Sequence, residues 1–189
     1  MRRLIFALAA LSGLAVPAAA GEIPEPLLQE ARSLAKTFFA ELKSALQKAL
    51  AERGAADAIG VCGEVAPGIA TRVSEKSGWA VGRTALRVRN PRNAPSPLER
   101  AVLVKFRARL AAGEDPGTVE WAGIVTQGGQ RYLHYMKAIP TLEVCLTCHG
   151  SDLDPEVRRA IHERYPADAA TGFAPGELRG AFTFVRPLD

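Results

Sequence analysis

Apolar residues recur at steps of three and four through Leu27, Ala31, Leu34, Phe38, Leu42, Ala45 and Ala49, the spacing that aligns one face of an α-helix. A helix is therefore predicted over 27–53, with Gly54 as its stop. A second stripe, Ile59, Cys62, Ala66, Ile69 and Val73, predicts a helix over about 56–76 and turns Cys62 inward with the core. Pro67 lacks the amide that would bond to the carbonyl of Gly63, so a kink is expected there. Gly63 and Gly68 flank that bend and would let a bulky flat ligand approach closely.

Beyond residue 78 the pattern shortens toward alternation. Val81, Leu86 and Val88 give 79–89 strand character, and the Asn- and Pro-rich stretch 90–95 is turn chemistry. Ser96 with Pro97 and Glu99 makes a capping box for a helix that runs to about Ala112 and stops at Gly113. The stretches 119–127 and 131–139 read as strands joined through Gly128-Gly129, a hairpin signal. Asp154-Pro155 opens a short helix to about Tyr165, 172–176 is turn-rich, and 178–186 ends the chain as a strand. Hairpin-linked strands with helices packed to one side predict an α+β fold on an antiparallel sheet.

The N-terminus follows a different logic. Arg2 and Arg3 precede an apolar run from Leu4 to Val16, and small residues follow it, ending in Ala18-Ala19-Ala20. Residues 1–20 are thus expected to be a secretory signal, leaving 21–189 as a single domain in the periplasm. The run is too short to span a bilayer comfortably, so no membrane span is expected after cleavage. The formal charge of +4 falls to +2 once Arg2 and Arg3 leave. Scattered cations at so small an excess make no case for nucleic acid or an anionic membrane.

Chemistry enters at Cys145-Leu146-Thr147-Cys148-His149. C-x-x-C-H is the attachment site of a c-type haem: two thiols three positions apart each take one vinyl group, and the next histidine lies beneath the iron. A redox C-x-x-C or half of a zinc site is the bland alternative, but zinc needs about four ligands and no second cysteine pair exists. One covalent haem c is therefore expected, on Cys145 and Cys148, with His149 as proximal ligand. Of the three cysteines, Cys62 is left over. A free thiol in an oxidising compartment is a liability unless buried or bound. The residues alone leave the sixth ligand open among Cys62, Met136, His134 and His162.

The order of the motifs resembles a family of periplasmic c-haem domains with a PAS-like fold. The pieces that carry the resemblance are Val61-Cys62 with Ala66-Pro67, Gly78-Trp79 with Val81-Gly82-Arg83-Thr84, Arg89-Asn90-Pro91 with Asn93 and Pro95, Tyr135-Met136-Lys137 with Ile139-Pro140, Cys145 to Gly150, and Ala170-Thr171-Gly172 with Leu178-Arg179-Gly180-Ala181. Together they span about 55–186. The resemblance implies a five-stranded antiparallel sheet behind long N-terminal helices and a His/Cys axial pair, which puts the distal ligand at Cys62. Tyr132, Tyr135, Trp79 and Arg83 are further candidates for the haem surroundings.

A thiolate ligand would stabilise the oxidised iron, whereas a methionine would raise the potential. The expected function is a redox or diatomic-gas sensing module, taking CO, NO or O2, with an unidentified periplasmic redox or signalling protein as partner. No kinase or membrane segment follows Asp189, so a sensor would act through a separate chain. The alternative is a periplasmic electron-transfer cytochrome c. No enzymatic role is expected, weak peroxidase chemistry being the nearest one.

Overall fold

The computed structural model of the chain describes residues 22–188, apart from the side chains of Val61 and Cys62. The expected leader, 1–20, lies outside the described residues. Helix α1 spans Glu25–Gly60, longer than its periodicity predicts. Gly54 does break the helical geometry, at φ 79° and ψ 176°, a left-handed conformation that costs glycine little. The chain resumes its helix at once on the far side.

The expected kink near Pro67 takes a specific form. Val61–Val65 is a π-helical turn, and α2, Ala66–Ser77, starts immediately after it with Pro67 in its first turn. A proline there needs no amide partner. The irregularity therefore sits one turn ahead of the proline, on the segment that carries Cys62. Such turns are rare in helices and cluster at functional sites. Gly78 closes α2 at φ 72°, its amide bonding to Ser74 O.

Strand β1, Ala80–Thr84, is shorter than predicted, because the chain turns away into a 3-10 turn at Pro91–Asn93. The amide of Ala85 bonds across this turn to Asn93 O at 3.2 Å. Helix α3, Pro97–Ala111, carries the predicted capping box between Ser96 and Glu99. Strands β2, Glu120–Gln127, and β3, Gln130–Pro140, form the predicted hairpin, with Gly128 and Gly129 both at positive φ, as a type I′ turn requires. Two short helices follow, α4 over Glu143–His149 and α5 over Pro155–Arg164, the latter capped by Asp154. Strand β4, Leu178–Leu188, returns to the middle of the sheet.

The sheet is antiparallel with order β1-β4-β3-β2. Among the described residues it has four strands rather than the five that the resemblance implied. The fold class is α+β, with long helices at the N-terminus. Helices do not stay on one side, however. Leu133, Tyr135, Phe182 and Phe184 pack against Ala31, Ala35 and Phe38 of α1 and Ile69 and Val73 of α2. On the opposite face Met136, Ala138 and Ala181 pack against Val102, Leu103 and Phe106 of α3. Burial on both faces explains why consecutive residues Leu133–Met136 of β3 are all buried, rather than every second one. Phe106 is 1% exposed, so Phe106→Ala should cost about 3–5 kcal/mol, seen as a lower midpoint in urea unfolding.

Candidate functional site

A cleft lies between the sheet and the N-terminal helices. Phe39, Leu42, Leu46 and Leu50 of α1 form one wall, and Ile139 and Phe182 form another. Its atom-free space, counted to the open mouth, is about 1240 Å³. Cys145, Cys148 and His149 of α4 all line it. A helix makes this possible, since residues three apart stand one above the other on its surface. The helix starts as soon as β3 ends: Leu142 is extended, and Cys145 N bonds back to Leu142 O at 2.8 Å. Gly150 N closes it on Leu146 O. A Cβ at Gly150 would lie 2.7 Å from that same oxygen, so with this backbone the residue after the histidine must be glycine.

The loop before β4 clamps this end of α4. Phe173 N bonds to His149 O at 2.9 Å, and Gly172 N to Gly150 O at 2.8 Å. His149 Nδ1 lies 2.6 Å from Ala170 O. A carbonyl only accepts, so Nδ1 carries the proton and Nε2 presents its lone pair to the cleft. Arg179 Nε donates to that Nε2 at 3.3 Å. Burial, with Arg179, Arg89 and Arg83 nearby, holds the imidazole well below its ordinary pKa. His149 is therefore neutral at pH 7, the form that binds a metal. Phe173 stands edge-on to the ring at 6.2 Å, and the Arg87 guanidinium covers Phe173 at 4.2 Å.

Beneath α4 a buried ion pair ties three segments together. Arg89 Nε donates to Asp168 Oδ1 at 3.0 Å, with both side chains under 10% exposed. Arg89 Nη2 donates to Cys148 O at 2.7 Å and to Ala170 O at 3.2 Å. Across the cleft, Ala58 and Ile59, just ahead of the π turn, are lining residues, and so is Tyr165. The Tyr165 hydroxyl presses on the π turn: a Cβ at Gly63 would run into it. Arg164 pairs with Glu64 of the same turn.

The expected ligands separate in space. His134 and Met136 are buried, but on the α3 face of the sheet, away from the cleft. His134 Nε2 lies 2.7 Å from Thr183 Oγ1. His162 is exposed on α5. Arg83 does line the cleft, whereas Trp79 sits in the α1 core, and Tyr135 donates to Glu120 at 2.9 Å. Tyr132, one pleat from His134, shares its side of β3. Arg89, Asp168, Ala170, Phe173, Arg179 and Tyr165 carry no role legible from residue type or spacing. Three of these, Arg89, Ala170 and Arg179, stand in the pieces that carried the resemblance, and that was the available signal.

The donor set fits a c-type haem. Two thiols and a neutral imidazole converge on one cleft, its walls are apolar, and Lys43, Arg83 and Arg179 supply positive charge for carboxylates at its edge. Among the described residues no cluster of three or more His, Cys, Asp or Glu side chains offers a bare metal site instead.

No curated protein matches the chain. The crystal structure of the cyanobacterial heme-protein Tll0287 is similar with a TM-score of 0.61 and 25% identity, over 89% of this chain and 98% of that one. The Tll0287-like family model matches residues 22–187, nearly everything after the expected leader, and the chain belongs to the Tll0287-like family.

Proposed function

We propose that the chain is an exported, non-enzymatic monohaem protein that senses redox state or a diatomic gas in the periplasm. The convergence of Cys145, Cys148 and a tautomer-fixed, neutral His149 on one cleft supports the haem part of this reading. That a protein of similar fold is a heme-protein supports it. Cys145 and Cys148 would hold the porphyrin by two thioethers, and His149 would bind its iron through Nε2, with Arg179 yielding that nitrogen. The bound group would supply a redox-active iron able to take a small ligand.

Cys62 is the distal ligand in this reading. Its backbone lies in the π turn, and the residues around that turn, Ala58, Ile59 and Tyr165, border the cleft. His134 and Met136 face the other way. Among the described residues no helix is long and apolar enough to cross a membrane.

Intact mass of the purified protein should exceed the 21–189 polypeptide by one haem, and acidic acetone should leave the pigment attached. The reduced protein should bind CO readily as Cys62 lets go. A covalently loaded protein that refuses CO in its reduced form would instead be an electron carrier. A colourless, folded protein from a host with c-type maturation would overturn the haem reading altogether.

A further inference from the structure

The proximal side of the cleft holds a device that neither the motif nor the fold requires. Ala170 O accepts from two donors, His149 Nδ1 at 2.6 Å and Arg89 Nη2 at 3.2 Å. Asp168 braces both ends of the arrangement. Its Oδ1 accepts from Arg89 Nε and from Ala170 N, each at 3.0 Å, and its Oδ2 accepts from Arg89 Nη2 at 3.2 Å. Arg89 also holds Cys148 O at 2.7 Å. One guanidinium therefore grips the carbonyl of a haem-motif cysteine and the carbonyl that orients the histidine.

Burying such a pair is costly, because both ions leave water and the mutual attraction only partly offsets the loss. Its side chains are 7% and 8% exposed. Hydrophobic residues could fill the space with no such cost, so the retained charges call for a further account. The partner on Nδ1–H sets how strongly an imidazole donates through Nε2. A carbonyl that also accepts from a cation is a poorer acceptor, so the imidazole keeps less negative character and donates less to a metal. Asp168 offsets part of that withdrawal.

The geometry points to Arg89 and Asp168 as positioning residues that set the donor strength of His149 through the shared carbonyl of Ala170. This inference rests on the haem reading above. Arg89 lowers the donation and favours the reduced iron, and Asp168 opposes it. The same trio fixes the ring plane, because Ala170 cannot move without breaking its hydrogen bonds to Arg89 and to Asp168.

The test uses the haem-loaded protein as exported, with reduction midpoint and low-temperature EPR g values of the oxidised form as readouts. Asp168→Asn keeps an acceptor for Ala170 N but uncovers the Arg89 charge, and its midpoint should rise. Arg89→Gln combined with Asp168→Asn leaves neither partner as an unpaired ion and removes the cationic donor from Ala170 O. Its midpoint should fall below wild type, and its g values should move. Arg89→Lys keeps the charge without the fork and should shift the g values, which report ring orientation. Glu114→Gln, which breaks the pair with Arg109 on α3, should change neither readout. Wild-type midpoints and g values in the haem-loaded double variant would overturn the inference while leaving the haem reading intact. Loss of haem from all the Arg89 and Asp168 variants, with Glu114→Gln loaded, would also overturn it and reduce the trio to a folding element. Absence of haem from the wild type would instead be failure of the functional reading itself.

Discussion

Replacing Cys145 and Cys148 together with serine should yield a colourless protein, with the mass of the bare polypeptide. The two thiols stand on one face of α4 and line one cleft, so each single replacement should retain one thioether and the double replacement none. His149→Ala should keep the covalent pigment but lose the proximal bond, turning the oxidised spectrum high-spin. Neither change touches the two main packing clusters, which are built mainly from the sheet and from α1, α2 and α3. The far-ultraviolet circular dichroism should therefore remain that of a mixed helix–strand fold. Cys148 packs beside Ile59, Leu153, Val157 and Ile161, so loosening should concentrate around α5 and the π turn. A double variant that still carried covalent haem would mean that neither thiol is an attachment point.

Cys62→Ser should produce the second large effect. Axial-ligand identity moves haem potentials over about 0.8 V among proteins, and a thiolate lies at the low end because it stabilises Fe(III). The variant should show a raised midpoint and lose the sulfur-to-iron charge-transfer band, with covalent attachment unaffected. CO should bind its reduced form at least as readily as wild type. Redox titration and electronic spectra read both changes. Unchanged spectra would remove Cys62 from the iron, and His134 and Met136 could not replace it without crossing from the α3 face of the sheet.

What the sequence could say about the site depended on how local each signal is. Cys145, Cys148 and His149 lie within five residues, and their geometry follows from one short helix. The capping box at Ser96 and the Gly128-Gly129 turn are equally local, and both form as their residues dictate. Cys62 needed more: periodicity faced it inward, but only the resemblance attached it to iron. The proximal network was out of reach for a physical reason. Arg89, Asp168 and Ala170 are joined by a long-range ion pair and two carbonyl contacts, and no periodicity encodes a bond to a backbone oxygen some 80 positions away. The same holds for His134 and Met136. Their alternation on β3 was visible, but which face fronts the cleft is decided by where α3 docks, and nothing in 131–139 carries that.

Gly63 and Tyr165 meet so closely that the two positions form a single unit of inheritance. A methyl group at 63 has no room while the phenol oxygen stands over it, so alanine there requires the Tyr165 ring to swing aside or its hydroxyl to be lost, and is accommodated best in a lineage where position 165 has already changed. Such a lineage would carry the two changes in a fixed order, ring first and glycine second. Descendants of this chain should therefore show a side chain at 63 only where 165 has also changed, whereas 165 is free to change alone, a one-way footprint of the contact in ancestry.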